Sequence, residues 1–134
     1  MTANELRIGN YVRSISIDYI VWKIDGSGNI QGVEGGTSFN LDRSTEPILL
    51  TEDWLVKLGF EEGSIALHSE IFMSKHHSYT NYWIRLYRWE GSYLLHIGFG
   101  GSEPYFIRRV EYVHSLQNIY YELMQEELTL NENP

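Results

Sequence analysis

The chain has 134 residues, of which 43% are hydrophobic, 21% charged and 14% aromatic, with ten Lys/Arg, eighteen Asp/Glu and no cysteine. That length suits one domain of roughly 100–150 residues, and no apolar run reaches the roughly 18–20 residues of a membrane-spanning helix. The missing cysteines exclude a disulfide scaffold, thiol catalysis and cysteine-ligated zinc, and a formal charge of −8 argues against double-stranded DNA and non-specific nucleic acid.

Residues 1–10 lack the basic end and apolar stretch of a signal peptide, which sets the expectation of a cytoplasmic protein. From Leu6 the sequence reads Leu6-Arg7-Ile8-Gly9-Asn10-Tyr11-Val12 and continues in β-branched and aromatic runs through Ile17 and Tyr19 to Ile24. The glycine-rich run at 25–29 is a turn signal before another strand around Ile30 to Val33, so an N-terminal antiparallel meander is expected. The Leu-x-x-Gly-Asn-x-Val pattern also resembles the first strand of small SH3-like barrels. Residues 34–47 read as a loop.

A short helix is expected near 51–58: Thr51 can cap it, Glu52 and Asp53 suit its first turn, and Lys57 suits its last. Trp54, Leu55 and Leu58 form its apolar stripe. Gly59 can supply a left-handed stop with Phe60 folding back on Leu55.

The second half contains two runs, 82–89 and 92–99, flanking Glu90-Gly91. With those two residues as the loop, Trp89 faces Ser92, Tyr87 faces Leu94, Arg85 faces His96 and Trp83 faces Gly98. Alternation then puts Tyr82, Ile84, Leu86, Tyr93, Leu95, Ile97 and Phe99 on a core face. Trp83, Arg85, Tyr87, Trp89, Leu94 and His96 fall on the other. A further strand is expected at 105–110. A final helix over 112–127 places Tyr112, Val113, Leu116, Ile119, Tyr120, Leu123 and Met124 on one side and His114, Gln117, Asn118, Tyr121 and Gln125 on the other. These elements predict an α+β fold over residues 1–130, a single domain with a frayed tail at 131–134. Its antiparallel sheet, open or curled into a partly open small barrel, is covered by the C-terminal amphipathic helix.

Three blocks carry a resemblance: residues 5–12, then 47–55 with Leu58-Gly59-Phe60, and Tyr112-Val113-His114 with Leu116-Gln117-Asn118. Together they resemble a family of small uncharacterised proteins from phages, prophages and mobile elements of Bacteroidetes. The resemblance implies a phage accessory protein acting in the host cytoplasm, where such proteins are often counter-defence factors. It supplies no catalytic residues, and it does not extend to residues 61–110.

Charge is uneven along the chain: residues 1–74 carry five Lys/Arg and eleven Asp/Glu, residues 75–110 five and two, and residues 111–134 none and five. The basic centre coincides with the aromatic strand pair. Arginine beside stackable rings suits a small anionic aromatic ligand, rings covering a base while guanidinium pairs with phosphate. The expected ligand-binding residues are therefore Trp83, Arg85, Tyr87, Trp89 and His96, with Arg88 and Arg108, in one chain or across a symmetric homodimer. The plainer reading makes them ordinary exposed strand residues.

Gly98-Phe99-Gly100-Gly101-Ser102 could cradle phosphate oxygens on its backbone, although it lacks the Gly-Lys-Ser/Thr ending of a P-loop. Gly35-Gly36-Thr37-Ser38 is a weaker candidate. The histidines at 68, 76, 77, 96 and 114 match no metal-binding spacing, and there is no Gly-x-Ser-x-Gly elbow. The sequence thus favours a protein without catalytic residues, metal or cofactor that sequesters a nucleotide-like signal. The alternative is an inhibitor or adaptor that docks on a host protein through acidic and aromatic surfaces. A phosphodiesterase is third.

Overall fold

A computed structural model describes residues 6–14, 17–24, 30–41, 45–65, 70–77 and 79–130. The turn expected at 25–29, the tail at 131–134 and His68 lie outside them. The fold is α+β, with two antiparallel sheets of five strands, neither closed into a barrel, and a C-terminal helix. The contacts group into two compact units, one within Met1–Leu49 and Tyr112–Thr129, the other within Leu50–Glu111.

The first unit holds β1 (Tyr11–Ser14), β2 (Ile17–Ile24), β3 (Ile30–Glu34), β4 (Thr37–Leu41) and β5 (Thr45–Glu46), in sheet order β4-β3-β2-β1-β5. The meander is as expected from the sequence. The loop expected at 34–47 is instead largely strand: Gly35 and Gly36, both at positive φ, join β3 to β4 with Glu34 opposite Thr37. A Gly-Gly pair is a hairpin turn here, so it makes no phosphate site. Leu6, Val12, Tyr19, Val21 and Leu41 form the core of this sheet.

Helix α2 (Val113–Met124) belongs to the same unit and packs against β1. It buries Val113, Leu116, Ile119, Tyr120 and Met124, as the periodicity predicts. At roughly 1.5–3 kcal/mol per buried side chain, these residues make the docking of α2 a major term in stability. Two residues assigned to the polar side are also buried, however: His114, and Gln117 with no exposed surface.

Gln117 is buried because it hydrogen-bonds in four directions. Its Nε2 donates to Gly9 O (3.0 Å) and Leu128 O (3.1 Å), while its Oε1 accepts from Tyr11 N (2.9 Å) and Asn10 Nδ2 (3.4 Å). Arg7 completes the junction. Its Nε donates to Asn118 Oδ1 (2.8 Å), Nη1 to Glu127 Oε1 (3.0 Å) and Nη2 to Gln117 O (3.2 Å), with the guanidinium 4.6 Å from the Tyr121 ring centre. The Arg-x-Gly-Asn run near the start is therefore a clasp on α2, built from residues that a periodicity argument leaves to solvent.

The second unit holds α1 (Glu52–Lys57), β6 (Glu61–Ile65), β7 (Glu70–His76), β8 (Tyr82–Trp89), β9 (Ser92–Phe99) and β10 (Tyr105–Val110), with sheet order β10-β9-β8-β7-β6. Thr51 Oγ1 accepts from Trp54 N (3.3 Å), capping α1 as expected. At the other end Gly59 has φ +91°, a left-handed conformation that costs glycine little, and Phe60 N donates to Leu55 O (2.9 Å) in a Schellman closure. Strands β6 and β7 were not legible in the sequence, whereas β8, β9 and β10 fall where it puts them.

Candidate ligand-binding face

The register of the β8–β9 hairpin is the one read from the sequence: Trp89 opposite Ser92, Tyr87 opposite Leu94, Arg85 opposite His96 and Trp83 opposite Gly98. Register decides which side chains share a face, since a one-residue slip would exchange the two. On one face Met73, Ile84, Leu86, Tyr93, Leu95 and Val110 are buried. Glu52 of α1 shares a cavity of about 200 Å³ with Met73, Leu86, Arg88 and Tyr93, which puts the helix on this side. Burial raises the pKa of the Tyr93 hydroxyl, Arg88 opposing the effect and Glu52 adding to it. Tyr82 and Phe99, assigned to this core face, lie at its end and are exposed, with ring centres 5.0 Å apart.

The opposite face carries a row of rings running across four strands. Phe72 of β7 lies 5.6 Å from Tyr87 of β8, Tyr87 lies 4.9 Å from His96 of β9, and His96 lies 5.4 Å from Phe106 of β10. Beside this row the Arg85 guanidinium is held between two rings, 4.4 Å from the centre of Phe72 and 4.3 Å from that of Trp83. Among the described residues the ion pairs are Arg7–Glu127 and Arg13–Asp18, so no carboxylate neutralises Arg85. Stacking fixes the plane of a guanidinium and leaves its edge donors available.

Trp83 differs from expectation. Strand alternation puts it on the ligand surface, but only 4% of it is exposed. Its indole lies across Gly98 on the neighbouring strand, so closely that a Cβ at that position would overlap the ring. Its Nε1 donates to Gly100 O (2.8 Å). A tryptophan spent in this way cannot stack broadly on a base. It stiffens the wall against which Arg85 rests.

The glycine-rich loop is also tighter than a phosphate cradle would be. Gly100 N donates to Asn81 O (2.8 Å), Ser102 N to Phe99 O (3.0 Å), and Phe99 N to Ser102 Oγ (3.0 Å). Two of the three amides at 100–102 are thus already used, which leaves Gly101 N–H. The loop nevertheless meets the arginine: Trp83, Arg85, Gly100, Gly101, Ser102, Glu103 and Pro104 line one open cavity of about 420 Å³.

The structure therefore sorts the seven expected residues. Trp83 and Arg85 line the cavity, Tyr87 and His96 continue beside it in the ring row, and Trp89 stands half-exposed at the hairpin end of the same face. Arg88 and Arg108 pair with Tyr93 and Leu95 on the other face, so they do not join Arg85. Alternation already implied this for Arg88. For Arg108 the reason is the irregularity in β10 between Phe106 and Arg108, which turns Arg109 toward the ring face instead. There Arg109 Nε donates to Ser92 Oγ. Phe72, Phe106 and Glu103 were missed, Phe72 because its strand was not identified and the other two because their neighbours depend on that irregularity and on the loop.

His96, packed between Tyr87 and Phe106, is a ring in the row. Among the described residues no three His, Asp or Glu side chains are grouped to hold a metal ion, and no helix is long and apolar enough to cross a membrane. No family model, curated protein or solved structure matches the chain.

Proposed function

We propose that this protein binds a small anionic, nucleotide-like ligand in the cavity between Arg85 and the 100–104 loop, and that it works by sequestration. The supporting observation is the Arg85 guanidinium, fixed between Phe72 and Trp83, without an ion-pair partner among the described residues and lining a cavity of about 420 Å³. Such a volume falls within the roughly 300–1,000 Å³ of small-molecule sites. Charge-assisted hydrogen bonds from a pre-oriented guanidinium are the strong ones, and a phosphate presents the matching geometry. The phage-family resemblance gives this activity a place, as a counter-defence factor in the host cytoplasm that removes a signalling nucleotide.

A second reading draws on the edge strand β10, where Tyr105 (71% exposed) and Phe106 (58%) stand beside Ile107 and two arginines. Exposed rings on a strand that is the sheet edge among the described residues suit docking on a host protein or on a second copy of the chain. Native mass spectrometry of the protein purified from defence-active host cells separates the two. A bound small anion lost in Arg85→Met supports sequestration, and a stoichiometric host protein retained in Arg85→Met supports docking.

A further inference from the structure

The cavity lining contains a carboxylate as well as an arginine, which a pure anion site would avoid. Glu103 and Arg85 line the same cavity but are not within ion-pair distance of each other, and Glu103 has no ion-pair partner among the described residues. Several polar groups of the wall are engaged: the Trp83 indole N–H donates to Gly100 O, Ser102 Oγ accepts from Phe99 N, and the amides of Gly100 and Ser102 donate to Asn81 O and Phe99 O. The charged groups left for a ligand are one guanidinium and one carboxylate, with the Gly101 N–H and the Ser102 O–H as neutral donors beside them.

We infer that Glu103 gives this site a preference for a guanine-type base, its two oxygens accepting from two adjacent N–H donors while Arg85 takes the phosphate. The inference rests on the nucleotide reading above and deepens it. An ionised carboxylate is an acceptor only. Of the common bases only guanine presents two neighbouring donors, N1–H and the N2 amino group, on its Watson–Crick edge. Adenine presents an acceptor at N1, which would face a carboxylate lone pair. Uracil presents a single donor flanked by two carbonyl oxygens. A site that hydrogen-bonds a donor edge discriminates strongly against analogues without it, because its own polar group is then left unmatched.

Isothermal titration of the full chain with 5′-GMP, 5′-IMP, 5′-AMP and inorganic phosphate tests this. GMP should bind at least tenfold more tightly than AMP, with IMP, which lacks the N2 amino group, between them. In Glu103→Gln the GMP/AMP ratio should collapse to within threefold, and Glu103→Asp, one methylene shorter, should give an intermediate ratio. Melting curves confirm that each variant is folded. If wild type binds GMP and AMP equally, and both are lost in Arg85→Met, the Glu103 assignment is overturned while the anion site stands. If neither phosphate nor any nucleotide binds, both readings fall together.

Discussion

In the first unit Arg7 directs all three of its side-chain nitrogens to acceptors on α2 and the segment after it, whereas Arg85 in the second unit has two aromatic rings for neighbours and no ion-pair partner among the described residues. Both guanidiniums are fixed, but by different means and to different effect. Acceptors consume an arginine's donors and make it part of the framework. Rings hold its plane and leave the donors at its edge unspent. The same contrast separates Gln117, saturated by backbone groups, from Glu103, which has no ion-pair partner on its cavity wall. In the first unit the Arg7–Asn10 run clasps Gln117 and Asn118, and Ile48 O accepts from Val113 N (2.8 Å). These contacts hold the first unit together, and the candidate site lies in the second, between residues 83 and 104.

Substitutions in the clasp should have the largest effects. Leu116 is fully buried, so Leu116→Asp places an unpaired charge in the helix–sheet interface and should prevent stable folding. Gln117→Leu should be nearly as severe, about 3–5 kcal/mol, because it strands the carbonyls of Gly9 and Leu128 and the amide of Tyr11. The sequence alone, which puts Gln117 on the exposed side, predicts only a mild effect there. Chemical denaturation distinguishes the two expectations, and a Gln117→Leu midpoint equal to wild type would show that the clasp does not hold α2.

On the ring face Gly98→Ala should cost about 1–3 kcal/mol, since the new methyl must displace the Trp83 indole from its neighbour strand. The indole fluorescence maximum should shift with it; a silent substitution would mean that the ring does not lie over Gly98.

The Tyr120 hydroxyl, in the first unit, has its pKa pushed up to about 12, by burial first and by the charge of Glu126 next. A tyrosine ionises in the unfolded chain near pH 10, so the unfolded state loses its proton before the folded state does. Stability from this group is therefore complete below about pH 10 and declines as pH rises toward 12. Tyr120→Phe should flatten that decline, and an unchanged alkaline unfolding curve would contradict the assignment. The smallest effect is expected at the hairpin loop, where Glu90 has φ +45° and Gly91 φ +78°. Glu90→Asn should stabilise by roughly 0.5–1 kcal/mol, since asparagine tolerates the left-handed region.

The elements that were legible in the sequence carry local signals. Thr51, Glu52 and Gly59 punctuate α1 at both ends, and the two residues Glu90-Gly91 set the hairpin register without help from the rest of the chain. What was not legible depends on partners distant in sequence. Gln117 looks like a surface residue until Gly9 and Leu128 are brought to it, and Trp83, whose pairing with Gly98 the hairpin does give, looks like a stacking platform until its indole lies over that glycine and donates to Gly100 O. Arg108 and Arg109 exchange roles through one irregularity in β10 that no periodicity announces. The site was half legible for the same reason: alternation put Arg85 and His96 on one face, but the approach of Glu103 and the 100–104 loop is a tertiary fact.

The most direct test of the ring-held arginine is Arg85→Met, which keeps an unbranched apolar stem between Phe72 and Trp83 while removing the charge and all its donors. Titration of wild type and variant with 5′-GMP should show a ten- to hundredfold loss of affinity, as expected for removing charge-assisted contacts of roughly 1.5–3 kcal/mol, with a melting temperature within a few degrees of wild type. A folded Arg85→Met that binds GMP as tightly as wild type would contradict the assignment of Arg85 as the anion-binding residue.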